Sequence, residues 1–194
     1  DTVPYGVYRK SLFAKIGLMD ERLVRAQDYE FNRRILASGG SIWRNPQIHV
    51  TYYNQPSLLG FLKKQLLLEA PYNAYMWYLA PYTFAFRHAV TAVFTTGVMG
   101  GLLLSQYFPV VKLLFLGTMA LYFFLGLLSA IQQTLRYRKL LHLITLPLSF
   151  FLYHFIHGVG VLYGLFTLLL RRAPVQQHAE PWPGAGRLRS WPVE

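Results

Sequence analysis

Residues 110–131 have the sequence VVKLLFLGTMALYFFLGLLSAI, in which Lys112 is the only charged side chain. An α-helix needs about 20 predominantly apolar residues to cross the hydrocarbon core of a bilayer. This stretch meets that length, and its lysine lies near one end. We therefore predict a transmembrane helix here and expect an integral membrane protein.

Two further apolar runs flank this stretch, at residues 88–104 and 141–170. The first is marginal in length for one span, and the second is longer than one straight span needs. We predict about three transmembrane helices within residues 87–172, with the C-terminus outside. A hairpin formed by residues 141–170 is the alternative, although its turn would leave backbone groups unsatisfied in lipid. Residues 173–194 are predicted to form a disordered tail.

The charge distribution favours lipid as a partner. The net charge is +11, yet no acidic residue occurs between Glu69 and Glu180. Because an ionised carboxylate is costly in hydrocarbon, this gap fits a lipid-facing surface. Basic residues of the second half flank the apolar runs, as they do beside anionic membrane lipids. A nucleic-acid binder would cluster them on a polar face, so we expect no nucleic acid as partner. The absence of cysteine excludes disulfides and cysteine chemistry.

Residues 1–56 carry a different pattern, in which short strand-like runs alternate with helical ones. Such alternation predicts part of an α/β layer. The expected fold class is therefore α/β, followed by an all-α transmembrane region. Helices are predicted at 9–16 and 28–38, and strands at 2–8, 41–43 and 48–53.

Residues 57–86 form a predicted interfacial segment. Leucines between residues 58 and 67 share one helical face, whereas Lys63, Lys64 and Gln65 lie on another. An amphipathic helix with basic residues suits the membrane surface. Pro71 and Pro81 are expected to interrupt the helix.

Few carboxylates are available for chemistry. Asp28 lies at the predicted start of a helix, where aspartate is a good capping residue. Glu30 and Arg34 are spaced as a favourable i,i+4 ion pair. By themselves these residues support a structural role as well as a catalytic one.

Residues 17–30, with the sequence GLMDERLVRAQDYE, favour the catalytic role over the structural one. They resemble the second half of the GT-A catalytic domain of inverting family 2 glycosyltransferases, in the branch that includes succinoglycan-type exopolysaccharide transferases. The matching features are Gly17, a hydrophobic pair, Asp20-Glu21, Gln27-Asp28 and Arg34. The resemblance implies that residues 1–56 are the C-terminal part of a GT-A domain whose nucleotide-binding half is missing here.

The resemblance also implies roles for individual residues. Asp28 is the expected general base, which takes the proton of an acceptor hydroxyl. Asp20 and Glu21 are expected to shape the acceptor loop, and Gln27, Glu30 and Arg34 to support the helix that presents Asp28.

The implied activity is transfer of a sugar from a nucleotide-sugar donor to a lipid-linked or polysaccharide acceptor, with inversion. Processive synthases carry Gln-x-x-Arg-Trp in an interfacial helix, but Leu66, Leu67, Leu68 and Glu69 follow Gln65. Non-processive transfer is therefore expected. The family's Asp-x-Asp motif is absent, so a divalent metal, Mg or Mn, is expected only in the full-length protein. The catalytic part is expected on the cytoplasmic side of the cell membrane.

Three other readings compete. A non-catalytic membrane assembly or scaffold subunit is the main alternative. A transporter would need polar residues within its spans, whereas Gln106, Lys112 and Gln132 lie at their ends. His154 and His157 are spaced as metal ligands can be, but no carboxylate or cysteine lies near them in sequence, and a site needs three or four ligands.

Overall fold

The computed structural model describes residues 6–53 and 55–177, and every regular element within them is helical. A π-helical turn, Gln65–Glu69, joins α3 to α4, and a 3₁₀ turn, Pro81–Thr83, follows α4. The α-helices are α1 Lys10–Ile16, α2 Gln27–Ala37, α3 Leu58–Lys64, α4 Ala70–Leu79, α5 Phe86–Leu104, α6 Pro109–Tyr137, α7 His142–Leu169 and α8 Pro174–Gln177.

The prediction of an α/β fold is wrong. Residues 41–43 and 48–53 are rich in β-forming side chains, yet they are irregular, and the described residues contain no strand. A strand is stable only when its backbone groups pair with a neighbour, and two-stranded ribbons are already marginal. No such neighbour lies beside these segments in the described part. Of the strand predicted at 2–8, residues 2–5 lie outside the described residues and 6–8 are irregular.

Two helical segments are long and apolar enough to cross a membrane: Pro109–Tyr137 and His142–Gln177. Almost all of the apolar window of α6 is exposed, which is unlike the core helix of a soluble protein. The run at 88–104, the third predicted span, forms α5 and is not one of these two segments, because Arg87, His88 and three threonines lower its mean hydropathy. Its crossing stays a prediction.

The chain divides into two compact units. The first comprises residues up to His88 together with those from Gly160 onward, and the second is Ala89–Val159. Aromatic and aliphatic side chains from α2, α4 and the region of α8 form the core of the first unit. Val175 of α8 is buried in this core, although a disordered tail was predicted there; residues 178–194 lie outside the described residues. The buried core residues are Leu23, Tyr29, Tyr72, Tyr75, Met76, Ala173 and Val175.

Pro71 does not end the helix that contains it. Proline lacks the amide hydrogen that an α-helix needs and crowds the preceding turn. The π-helical turn Gln65–Glu69 precedes it, and the helix then continues through α4. Such turns are rare and occur frequently at functional sites.

Two glycines allow α7 to approach this π-helical region closely. A Cβ atom at Gly160 would lie 2.8 Å from the Leu66 carbonyl oxygen, and one at Gly164 would lie 2.8 Å from the backbone of Pro71. Only glycine permits such contact, in the small-xxx-small spacing common between membrane helices. Tyr75 and Thr167 add a hydroxyl–hydroxyl hydrogen bond of 2.9 Å in the same unit.

The second unit contains hydroxyl–imidazole pairs. Tyr122 and His154 are 2.8 Å apart, and Thr91 and His157 are 2.9 Å apart. Phe94, Phe151 and Tyr122 pack as an aromatic cluster around the first pair. These contacts satisfy polar groups on largely apolar helices, the role expected for side chains that are partly or fully buried.

Candidate functional site

Asp28 is the second residue of α2, not its cap. The cap position belongs to Ala26, whose backbone is left-handed (φ 63°, ψ 11°) and which offers no capping side chain. The half-buried Asp28 carboxylate instead accepts a 2.8 Å hydrogen bond from the Tyr29 amide. Asp28 was predicted to be the cap, but the cap is Ala26, two residues earlier. The Asp28 carboxylate still lies among the unpaired amides at the start of the helix.

One turn further along α2, Glu30 and Arg34 form a buried ion pair. The side chains are 2% and 0% exposed. Arg34 Nε donates to Glu30 Oε1 at 2.9 Å, and Arg34 Nη2 donates to Oε2. Arg34 Nη1 also donates to the carbonyls of Ile16 and Leu18, at 3.1 and 2.7 Å. The pair thus ties the loop after α1 to α2.

Tyr82, in the 3₁₀ turn, completes this network. Its hydroxyl donates to Glu30 Oε1, and its carbonyl accepts from Arg33 Nη2 at 3.2 Å. Burial and the neighbouring Glu30 carboxylate raise the pKa of Tyr82. Nothing in the sequence indicated this contact, because Tyr82 is 52 residues from Glu30.

Tyr8 lies beside the same helix. Its hydroxyl donates to Asn32 Oδ1 at 3.2 Å, and its ring packs edge-on against Phe31 at 5.0 Å between centroids. Burial raises the pKa of Tyr8, and the charge of Asp28 raises it further. Sequence reasoning missed the contacts of Tyr8 with α2 because no local pattern connects Tyr8 with that helix.

The predicted acceptor-loop residues differ in their surroundings. Asp20 is buried, and Arg22 donates to both of its oxygens, at 2.9 and 2.7 Å. That hydrogen bond raises the pKa of Arg22. Glu21 is exposed. With its amide oriented to donate, Gln27 reaches the carbonyls of Leu23 and Val24 at 3.0 and 3.2 Å, which closes the loop onto the start of α2.

The predicted interfacial residues surround the π-helical turn. Lys64 Nζ lies 3.0 Å from Glu69 Oε1, and this contact raises the pKa of Lys64. Arg25 Nε lies 3.9 Å from the same oxygen. Gln65 is buried and Lys63 is exposed. We refer to Arg25, Lys64 and Glu69 as the interfacial charge cluster.

Metal ligands are not gathered within residues 6–53 and 55–177. No group of three or more His, Asp or Glu side chains in this part could hold an ion. The divalent metal expected from the family resemblance therefore stays a prediction, and these residues do not provide a set of ligands for it.

The arrangement presents one partly exposed carboxylate on a helix that is fixed from several directions. Asp20 and Glu30 are each engaged by arginine, and Glu69 lies between two cations. Glu21 is exposed in the loop before α2, whereas Asp28 is half-buried on α2 and held through a backbone amide. A carboxylate in such a setting can accept a proton from a bound hydroxyl.

No known protein-family model matches the chain, and no solved structure matches it. It is 27% identical over 174 residues to dolichyl N-acetyl-alpha-D-glucosaminyl phosphate 3-beta-D-2,3-diacetamido-2,3-dideoxy-beta-D-glucuronosyltransferase of Methanococcus voltae. The match covers 85% of the chain and 47% of that protein, so the chain spans about half the length of this curated relative. The similarity supports a glycosyltransferase at the general level and does not extend to the GT-A, family 2 or succinoglycan-branch resemblance.

Proposed function

We propose that this chain is the acceptor-side part of a membrane-bound glycosyltransferase that moves one sugar from a nucleotide-sugar to a lipid-linked acceptor with inversion. Asp28 is the general base. The observation that carries the proposal is the placement of Asp28 on a helix braced by Glu30, Arg34 and Tyr82. The family 2 resemblance of residues 17–34 supports the assignment of the base.

The acceptor hydroxyl donates a hydrogen bond to the Asp28 carboxylate. As the hydroxyl oxygen forms its bond to the anomeric carbon, its proton passes to Asp28. The bond from that carbon to the diphosphate oxygen breaks, and the nucleoside diphosphate leaves with the electron pair. Attack opposite the leaving group inverts the anomeric configuration. A divalent metal bound by the intact protein would supply positive charge beside the leaving diphosphate, and its ligands would come from outside the residues described here.

The buried network gives the base its position. A catalytic group contributes most when its orientation is fixed before the reaction, and displacement by about 1 Å can cost roughly 10²-fold in rate. Arg34 joins α2 to the loop that ends α1, and Tyr82 joins it to the 3₁₀ turn. This bracing supports a positioning role for Glu30 and Arg34, whose side chains are themselves buried.

A lipid-linked acceptor is supported from two directions. The Methanococcus relative is named for a dolichyl-phosphate-linked sugar substrate. In this chain the exposed leucines of α3 and the π-helical turn lie beside basic residues, as suits the membrane surface. Nucleotide-sugars are cytoplasmic in this proposal, so the site faces the cytoplasm.

The intact protein in membranes tests the proposal against the non-catalytic alternative. Nucleotide-sugars and a polyprenyl-phosphate-linked sugar are supplied together, and extracted lipids are analysed by mass spectrometry and NMR. We expect a lipid whose glycan has grown by one residue with inverted anomeric configuration. An unchanged lipid pool with every donor would instead favour an assembly or scaffold subunit.

A further inference from the structure

We propose that Arg25 and Lys64 form a binding site for the phosphate of a polyprenyl-phosphate-linked acceptor, with Glu69 holding the site in the absence of lipid. This inference deepens the proposed function and rests on it for the identity of the lipid. The shared ligand chemistry is a phosphate oxyanion, and the lipid-linked form is the one to which we commit.

The charge of the interfacial charge cluster is unbalanced. Two cations share the single Glu69 carboxylate, which is 3.0 Å from Lys64 Nζ and 3.9 Å from Arg25 Nε. A separation of 3.9 Å is too long for a hydrogen bond. The cluster therefore keeps about one unit of positive charge that Glu69 does not neutralise.

Arg25 is also incompletely satisfied in its hydrogen bonds. Its Nε is buried and has no hydrogen-bond partner among the described residues, while the side chain as a whole is 41% exposed. A guanidinium offers five N–H donors, and a phosphate matches them in pairs. A phosphate that takes the place of Glu69 beside Arg25 would supply acceptors that the described residues do not.

The π-helical turn explains why Lys64 is available at this place. Residues three or four apart are neighbours on an α-helix, whereas residues five apart are not. Lys64 and Glu69 are five apart and still pair, because the wider turn Gln65–Glu69 lies between them. The turn thus brings Lys64 to Glu69, the carboxylate that also lies near Arg25.

Exposed apolar side chains place the cluster at a membrane surface. Leu67 and Leu68 belong to the same π-helical turn as Glu69, and Leu58 and Leu59 begin α3; all four are exposed. Leucines that enter the bilayer boundary would hold adjacent cations at the depth of lipid phosphates. This favours a lipid phosphate over a free one.

The cluster is also close enough to the proposed base. Arg25 precedes Asp28 by three residues, so their Cα atoms can be at most about 11 Å apart. In this proposal, one sugar joined to the phosphate spans the distance from Arg25 to Asp28. The lipid's first sugar would then present its hydroxyl to Asp28 while its phosphate is held at Arg25.

Binding to the intact protein in nanodiscs tests the site without requiring transfer. The probes are polyprenyl phosphate, neutral polyprenol and inorganic phosphate. Wild type should bind polyprenyl phosphate at least about tenfold more tightly than polyprenol, and Arg25→Gln and Lys64→Gln should each remove most of that difference. Arg25→Lys should restore part of it. Arg44→Gln removes the same charge from an exposed side chain and should bind like wild type.

Glu69→Gln provides the sharpest arm, because it should act in the opposite direction. Removing the competing carboxylate frees both cations, so polyprenyl phosphate should bind several-fold more tightly. If the cluster had only a structural role, Arg25→Gln, Lys64→Gln and Glu69→Gln would all weaken the binding of polyprenyl phosphate. Equal binding by wild type, Arg25→Gln and Lys64→Gln would overturn the site, as would weaker binding by Glu69→Gln.

Two further measurements distinguish a lipid phosphate from a free phosphate, and the phosphate site from the proposed transferase activity. If inorganic phosphate alone bound as tightly as polyprenyl phosphate, the commitment to a lipid would be wrong. If binding behaved as predicted while no sugar was transferred, the phosphate site would stand and the proposed glycosyltransferase activity would fail.

Discussion

Arg34 donates to both carboxylate oxygens of Glu30, one turn earlier on α2, and neither side chain is appreciably exposed to solvent. Breaking a buried pair by removing one partner leaves an uncompensated charge, at a cost of about 3–5 kcal/mol. Arg34→Met should therefore lower the thermal midpoint of the detergent-solubilised protein markedly. Arg44→Met, at an exposed arginine, is the matched control and should change it little. Similar midpoints for the two variants would show that the pair does not stabilise the first unit.

The Tyr82 hydroxyl should make stability depend on alkaline pH. Because its pKa in the folded protein is raised above the ordinary value of 10.0, folded and unfolded chains are equally protonated below about pH 10. Above it, only the unfolded chain loses the proton, so stability should fall as pH rises. Tyr82→Phe should flatten part of this fall and lose about 1–3 kcal/mol at neutral pH with the bond to Glu30.

Thermal unfolding of Tyr82→Phe and wild type between pH 7 and pH 11 checks this sign. Tyr8 and Tyr72 have raised pKa values too, so the variant should keep some of the dependence. A profile for Tyr82→Phe as steep as that of wild type would contradict the assignment.

Gly164 should resist even the smallest side chain. A Cβ there would meet the Pro71 backbone at 2.8 Å and the Ala74 side chain at 3.1 Å. Overpacking of this kind costs about 1–3 kcal/mol. Gly97→Ala is the matched control, since its new methyl would meet nothing within 4 Å and alanine favours a helix by up to about 1 kcal/mol. The midpoint of Gly164→Ala should fall while that of Gly97→Ala holds or rises; equal midpoints would count against this close helix contact.

Much of the helical part could be predicted from the sequence. The run at 110–131 became α6, and the run at 141–170 became α7 within one residue at each end. A helix can be predicted from its own segment, because each of its backbone hydrogen bonds joins residues four apart. A strand needs a second strand to pair with, and the sequence of residues 48–53 does not show whether one is present. For this reason, the β-forming residues at 48–53 were assigned to a sheet that the described residues do not contain.

In the candidate site, too, contacts between residues close in sequence could be predicted, whereas contacts between distant residues could not. The Glu30–Arg34 contact follows from i,i+4 spacing and was visible in the sequence. The contacts of Tyr8 and Tyr82 with α2 span 24 and 52 residues, and no periodicity connects such positions. The π-helical turn was also missed, because the leucine pattern of residues 58–67 fits an ordinary helix, and Pro71 was expected to break it.

The crossing by α6 can be tested in this cysteine-free background. Gln106 precedes α6 and Lys139 follows it, and both are exposed. With the catalytic part in the cytoplasm and α5 also crossing, as the three-span prediction requires, the loop before α6 should be outside and the basic residues after α6 inside. An impermeant maleimide should label Gln106→Cys in intact cells and Lys139→Cys only after permeabilisation. The same accessibility for both cysteines would show that α6 does not cross.

The central claim is that Asp28 takes the acceptor proton. Asp28→Asn is the sharpest variant, because the amide oxygen can still accept from Tyr29 while the basic carboxylate is lost. Transfer of labelled sugar to a polyprenyl-phosphate-linked acceptor should be measured with the intact protein, alongside donor binding and the thermal midpoint. The account predicts that kcat falls by about 10² or more, with donor affinity and midpoint nearly unchanged. Transfer by Asp28→Asn at near the wild-type rate would contradict it.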